Sequence, residues 1–375
     1  MAEAARVIVI GGGIIGTTIA ATLAEAGHQV TLLEKETVGG NGATRFSGAL
    51  FRLYDPDREI TKLAHASIQL MAHTRVGDVF AQSLQRSGIL YASDKNQHGY
   101  DAVAACIKRY SDELYPMEMV SAQRAYELSC GCYSADNLRT ILYEPKGGFG
   151  DIRKAARDMA FMVRGAGGSI MEHTRVEGLH ADANGVSVRC GAVQIEADYA
   201  VLAAGAWSGT LCDFLPIETQ SIPLVSLEAA SQIPLPIIDT KTGTHLIPLN
   251  RGFYQAGSKI RIAAKVPEAL DYDNQPIVPD VLARLRGSLI EHDDNDVAAV
   301  IKGYDSYTAD GRPVLDFVDE HRRCMVATGF CGIGYKIALA VARNICDRLL
   351  DEAHYSESDT RLYGRERFAA SELVS

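Results

Sequence analysis

The sequence predicts an α/β protein: a Rossmann-like dinucleotide-binding lobe interleaved with a second lobe that contains a mostly antiparallel sheet. Three observations carry that prediction. A β-branched run, RVIVI at residues 6–10, leads into Gly11, Gly13 and Gly16 in G-x-G-x-x-G spacing. Two more strand-to-small-residue crossings follow far along the chain, at DYAVLAAGAWS (198–208) and VATGFCGIGYK (326–336). The stretches between them mix helical periodicity with short strands.

The first crossing has the most specific chemistry. RVIVI has the β-branched character of a parallel strand buried on both faces. Gly11 makes the tight turn, Gly13 lets the backbone reach a pyrophosphate, and Gly16 lets a helix over about 14–26 pack on the strand. The N-terminus of that helix offers unpaired N–H groups and positive dipole to phosphates. After Gly27 a second strand, QVTLLE, ends at Glu34, 18 residues beyond Gly16. An acidic side chain there meets the adenosine ribose hydroxyls and disfavours a 2′-phosphate, which argues against NADP.

Composition bounds the rest. A chain of 375 residues is long enough for two lobes, and 47% hydrophobic with 22% charged residues is ordinary for a globular enzyme. A net charge of −10 without a Lys/Arg cluster disfavours nucleic acid and anionic membranes as partners. No run approaches 18 apolar residues and no leader pattern is visible, so a cytoplasmic location is expected. The eight cysteines show no metal-ligand spacing and read as reduced core residues; no metal is expected.

Five further stretches carry a resemblance: NGATR (41–45), KGGFGD (146–151), HTRV (173–176), YTADGRP (307–313) and GFCGIGYK (329–336). Together with the crossings they resemble the FAD-dependent amino-acid and amine oxidase family that includes D-amino-acid oxidase, glycine oxidase and monomeric sarcosine oxidase. The likeness covers most of the chain. It implies a DAO-type fold related to glutathione reductase, with the FAD-binding lobe assembled from residues 1–52, 145–218 and 305–375. The substrate lobe is then 53–144 and 219–304. Helices are expected over 59–86, 99–127 and 278–292, strands over 222–230, 243–249 and 253–264, and a surface loop or sheet edge at SQIPLPIIDT (231–240).

The resemblance also implies cofactor contacts. Thr44 and Arg45 fall on the flavin-edge loop, and the Val176 backbone meets adenine. Gly332 and Gly334 are small because a ring system lies against them, with loop N–H groups and a helix N-terminus serving the flavin's pyrimidine edge. Ile14, Ile15, Lys35, Ala204, Gly205, Trp207, Ile333, Tyr335 and Lys336 complete the expected cofactor site. Lys336, with Arg52, matches the pair that holds a substrate carboxylate, Arg45 sets charge near the flavin, and Lys259 matches the lysine that assists oxygen. Two departures bear on the pocket: Ile333 replaces a histidine of the signature, and Ala263 stands where a strand histidine is expected. No cysteine lies near Gly303, so noncovalent FAD is expected.

The implied activity is oxidation of a C–N bond in an amino acid or secondary amine by hydride transfer to flavin N5, with O2 as acceptor and hydrogen peroxide as product. Two alternatives stand beside it. One is a maturation flavoprotein acting on a residue of a partner protein, as in tryptophylquinone biogenesis; the other is a dehydrogenase serving an electron carrier.

Overall fold

The structure, a computed structural model, describes residues 4–94, 97–136, 138–228, 233–249, 252–289, 297–350 and 361–368. Its frame is a six-stranded sheet in the order Val314–Phe317, Cys324–Thr328, Tyr199–Leu202, Arg6–Ile10, Gln29–Leu33, Ser169–Met171. Neighbours pair in parallel except at Val314–Phe317. All three strand-to-small-residue crossings therefore end on the same edge of one sheet, which answers why a chain carries such loops so far apart in sequence.

Period-two alternation decides what each strand buries. Val7 and Val9 join a core with the helices Ile14–Glu25, Ile152–Gly165 and Gly334–Leu350, whereas Ile8 and Ile10 face a three-stranded sheet over 178–197. These four side chains are at most 4% exposed. Each such burial is worth about 1.5–3 kcal/mol, so the strand needs no polar face.

A second, eight-stranded sheet runs Val297–Ile301, Leu224–Glu228, Phe253–Gly257, Thr244–Pro248, Ile237–Asp239, Ile89–Ser93, Thr140–Glu144, Glu118–Met119. It is antiparallel apart from the pairing of Ile237–Asp239 with Ile89–Ser93. Ile277–Leu285 covers one face.

Several expected elements are refined. The helix over 59–86 divides into Arg58–His73 and Arg75–Ala81, because Thr74 leaves helical geometry and its hydroxyl caps Gly77 N–H. The first of these packs on the C-terminal helix, where Ser67 Oγ accepts from Ala340 N–H at 3.0 Å. The 99–127 segment holds helices Gln97–Tyr110 and Ala122–Leu128 around a short strand. SQIPLPIIDT is no surface loop: Ile237–Asp239 is an interior strand, and Pro236 lends its carbonyl to Leu90 N–H. Prolines at 234 and 236 sit before the strand, where no ladder N–H is lost. Residues 229–232 and 290–292 lie outside the described residues.

Candidate active site

The site begins at the first glycine turn. Gly11 sits at φ +114°, and a Cβ there would lie 2.5 Å from the Ala203 carbonyl; one on Gly16 would lie 2.0 Å from Gly11 O. Only glycine lets strand, turn and helix close this tightly. Thr44 Oγ1 accepts from Ile14 N–H at 3.0 Å and so caps the helix from the next loop. Glu34 is held by two bonds at the tip of its strand: Oε2 accepts from Gly12 N–H at 2.7 Å and Oε1 from Glu36 N–H at 2.8 Å. A carboxylate has about four acceptor sites, so capacity for hydroxyls remains.

From this cradle an elongated cleft runs to the second sheet. Gly11, Gly13, Ile14, Ile15, Glu34, Lys35, Thr44 and Val176 line its first part; Ala204, Gly205 and Trp207 line the middle. Trp207 is fixed by its indole N–H donated to Glu268 at 2.9 Å and by Lys35 Nζ, 3.3 Å above the ring. The far part is lined by Gly332, Gly334 and Tyr335, by Ile222 beside Gly332, and by His245 and Ile247 of the second sheet. Tyr304 lines it as well, donating to Asn41 Oδ1 at 2.9 Å and tilted against Phe46.

Two titratable groups of the far part have no mark in the sequence. His245 lies beside Gly257 on the neighbouring strand, where a Cβ would come within 1.6 Å of its ring; the glycine makes room for it. Burial first, and then Arg261, lowers the His245 pKa to about 4, so the ring is neutral near pH 7. Asp305 is 6% exposed, and burial raises its pKa to about 6 against the pull of its bonds from Gly332 and Ser306 N–H, both 2.8 Å. A histidine does line the cleft, from the strand Thr244–Pro248 and not from position 263. Register between strands, not spacing along the chain, places it.

Several expected site residues have partners or positions of their own within the chain. Gly332 lines the cleft with its N–H donated to Asp305, whereas Ile333 donates its N–H to the Phe330 carbonyl and does not line the cleft. Arg45 is exposed and donates to Gly40 O at 3.0 Å, because a helical step of about 100° past inward-facing Thr44 turns it outward. Lys259 is exposed in the break after Phe253–Gly257, its side chain against Gly243 and its N–H on Asp280. Lys336 and Arg52 do not line the cleft, since both ion-pair with Asp55. Gly16 lies behind Gly11 outside the cleft lining, where the helix packs on the strand as its spacing predicts.

Comparison with known proteins fixes the family. Residues 6–348 match the family model described as FAD dependent oxidoreductase. The chain belongs to this family. It is 26% identical to a glycine oxidase of Bacillus licheniformis over 364 residues, covering 92% of each chain, and 21% identical to a monomeric sarcosine oxidase of Bacillus sp. (strain B-0618), covering 98% and 97%. In fold it is similar to an L-proline dehydrogenase from P. horikoshii, with a TM-score of 0.81 and 21% identity over 99% of both chains.

This FAD-dependent oxidoreductase offers what the dinucleotide needs. The Gly11–Gly13 cradle and the helix behind it suit the pyrophosphate, Glu34 the ribose, and the apolar far part a planar ring. Among the described residues no helix is long and apolar enough to cross a membrane.

Proposed function

We propose that the protein oxidises a C–N bond of a small amine or amino acid, with O2 as acceptor, giving an imine and hydrogen peroxide. The observation that carries this reading is the cleft itself, which joins a dinucleotide cradle to an apolar chamber walled by the substrate sheet. Noncovalent FAD, when bound, supplies the acceptor for the hydride and its electron pair. The chain's own residues hold and orient. Ile222, Leu224 and Ile247 exclude water, and neutral His245 receives a hydrogen bond from an amine or donates one to it. The apolar surroundings disfavour an ammonium and so favour the uncharged amine, the form able to lose hydride. A cytoplasmic location and the lobe division at 52, 144, 218 and 304 belong to the same reading.

A second reading, action on a side chain of a partner protein, is favoured by one observation: Arg52 and Lys336 are neutralised within the chain, so a free amino acid is not demanded. Anaerobic mixing of the FAD-loaded protein with a panel of amines and amino acids tests the main reading. Bleaching of the flavin band by a panel member is expected, followed by oxygen uptake on aeration. Silence across the panel, with bleaching only when a partner polypeptide is added, rejects it. Bleaching without oxygen uptake points to a carrier as acceptor.

A further inference from the structure

Two cations stand behind the far wall of the cleft. Arg52 is two residues beyond Leu50, and Lys336 lies in the first turn of the C-terminal helix, next to Tyr335. Buried cations are retained where an anion meets them, and here the anion is part of the chain. Asp55 Oδ2 accepts from Lys336 Nζ at 2.7 Å and from Arg52 Nη2 at 3.1 Å, with side chains 14%, 3% and 13% exposed in that order. Glu144, 1% exposed, lies in the same field and accepts from the N–H of Leu53 and Tyr54 and from the Tyr115 hydroxyl. Two cations face two carboxylates. One donor is left over, Arg52 Nη1, buried behind the wall without a hydrogen-bond partner.

Among the described residues the wall itself carries no substitute cation. Its polar groups at the far end are Asn41, Ser47, Tyr304, neutral His245 and the acid Asp305, among apolar Phe46, Leu50 and Ile247. The cations that do line the cleft, Lys35 and Arg175, stand near Glu34 and Val176 at the ribose end. Arg261 borders His245 and Tyr307, but its guanidinium donates to the Ser258 and Ile260 carbonyls and does not line the cleft.

We propose that Asp55 determines specificity: by occupying Arg52 and Lys336 from within, it leaves the substrate wall without a cation among the described residues, and the site takes amines whose reacting carbon bears no free carboxylate. A carboxylate on that carbon would be buried unpaired or would have to displace Asp55 from both partners, and either is costly. This inference rests on the C–N oxidation reading for the identity of the substrate, though not for the statement about anions.

The test separates the two. Acetate and benzoate are titrated into the FAD-loaded full-length protein while the visible flavin spectrum is followed. The wild type is expected to show no perturbation at millimolar concentrations, and Asp55→Asn to bind benzoate at least tenfold more tightly. Matched substrates, sarcosine against N-methylglycinamide and glycine against glycinamide, are then compared for anaerobic flavin reduction. The carboxylate-free member should be at least tenfold faster. Millimolar benzoate binding by the wild type, or a faster carboxylate member, overturns the proposal; loss of that binding in Arg261→Ala would then assign the clamp to Arg261. If no substrate reduces the flavin, the C–N reading fails while the benzoate titration still judges Asp55. Should Asp55→Asn not fold, the wild-type titration and the matched pairs decide alone.

Discussion

Lys336 meets its counter-ion inside the protein, and its titration follows from that. Burial first, then Arg52, lowers its pKa to about 8, while Asp55 opposes. Asp55 is raised by burial, but Lys336 and then Arg52 together bring it down to about 2. Removing one partner of such a pair leaves an uncompensated buried charge, at a cost of about 3–5 kcal/mol. Lys336→Met is therefore expected to lower the unfolding free energy from urea melts by that amount while leaving the wild-type pattern of substrate preference. Asp55→Asn combined with Lys336→Met should cost clearly less than the two changes summed, since the pair is coupled. Strict additivity in urea melts would show that the two side chains do not depend on each other.

At the scale of elements, two glycines make opposite predictions. A Cβ on Gly16 strikes the Gly11 carbonyl at 2.0 Å, and backbone cannot step aside. Gly16→Ala should cost about 1–3 kcal/mol or more and abolish FAD retention on gel filtration. A Cβ on Gly257 meets the His245 ring first, a side chain that can rotate away. Gly257→Ala should keep FAD yet slow amine-driven flavin reduction at least tenfold; an unchanged rate would remove His245 from the site. The contrast shows what the sequence makes legible. Gly11, Gly13, Gly16 and Glu34 act within one strand–turn–helix–strand unit, so their spacing along the chain is their spacing in space. His245 and Asp305 reach the cleft through the register of separate strands, a long-range property that linear pattern does not encode. Arg45, Arg52, Lys259 and Lys336 have residue types that fit the chemistry, but a turn of helix, a strand break and an internal aspartate direct them elsewhere.

For the whole molecule, His245 and Asp305 have opposite effects on stability. The unfolded chain protonates His245 near pH 6.5 and the folded one near 4, so between these values the unfolded state holds the extra proton and stability falls as pH falls. Asp305 is the reverse: folded it titrates near 6, unfolded near 3.8, so the folded state holds the proton and stability rises as pH falls through that window. Each slope is at most about 1.4 kcal/mol per pH unit, and they cancel where the windows overlap, from about 4 to 6. Other buried acids, Glu144 and Asp55 among them, add a background common to every variant. Relative to wild type, Asp305→Asn should lose stability progressively on acidification from pH 6 to 4, and His245→Asn should gain it from pH 6.5 to 4. Melting midpoints of the three proteins across pH 4–7 check this. Parallel curves would mean that neither group changes its proton affinity on folding. The wall of the site would then be far better solvated than its geometry allows.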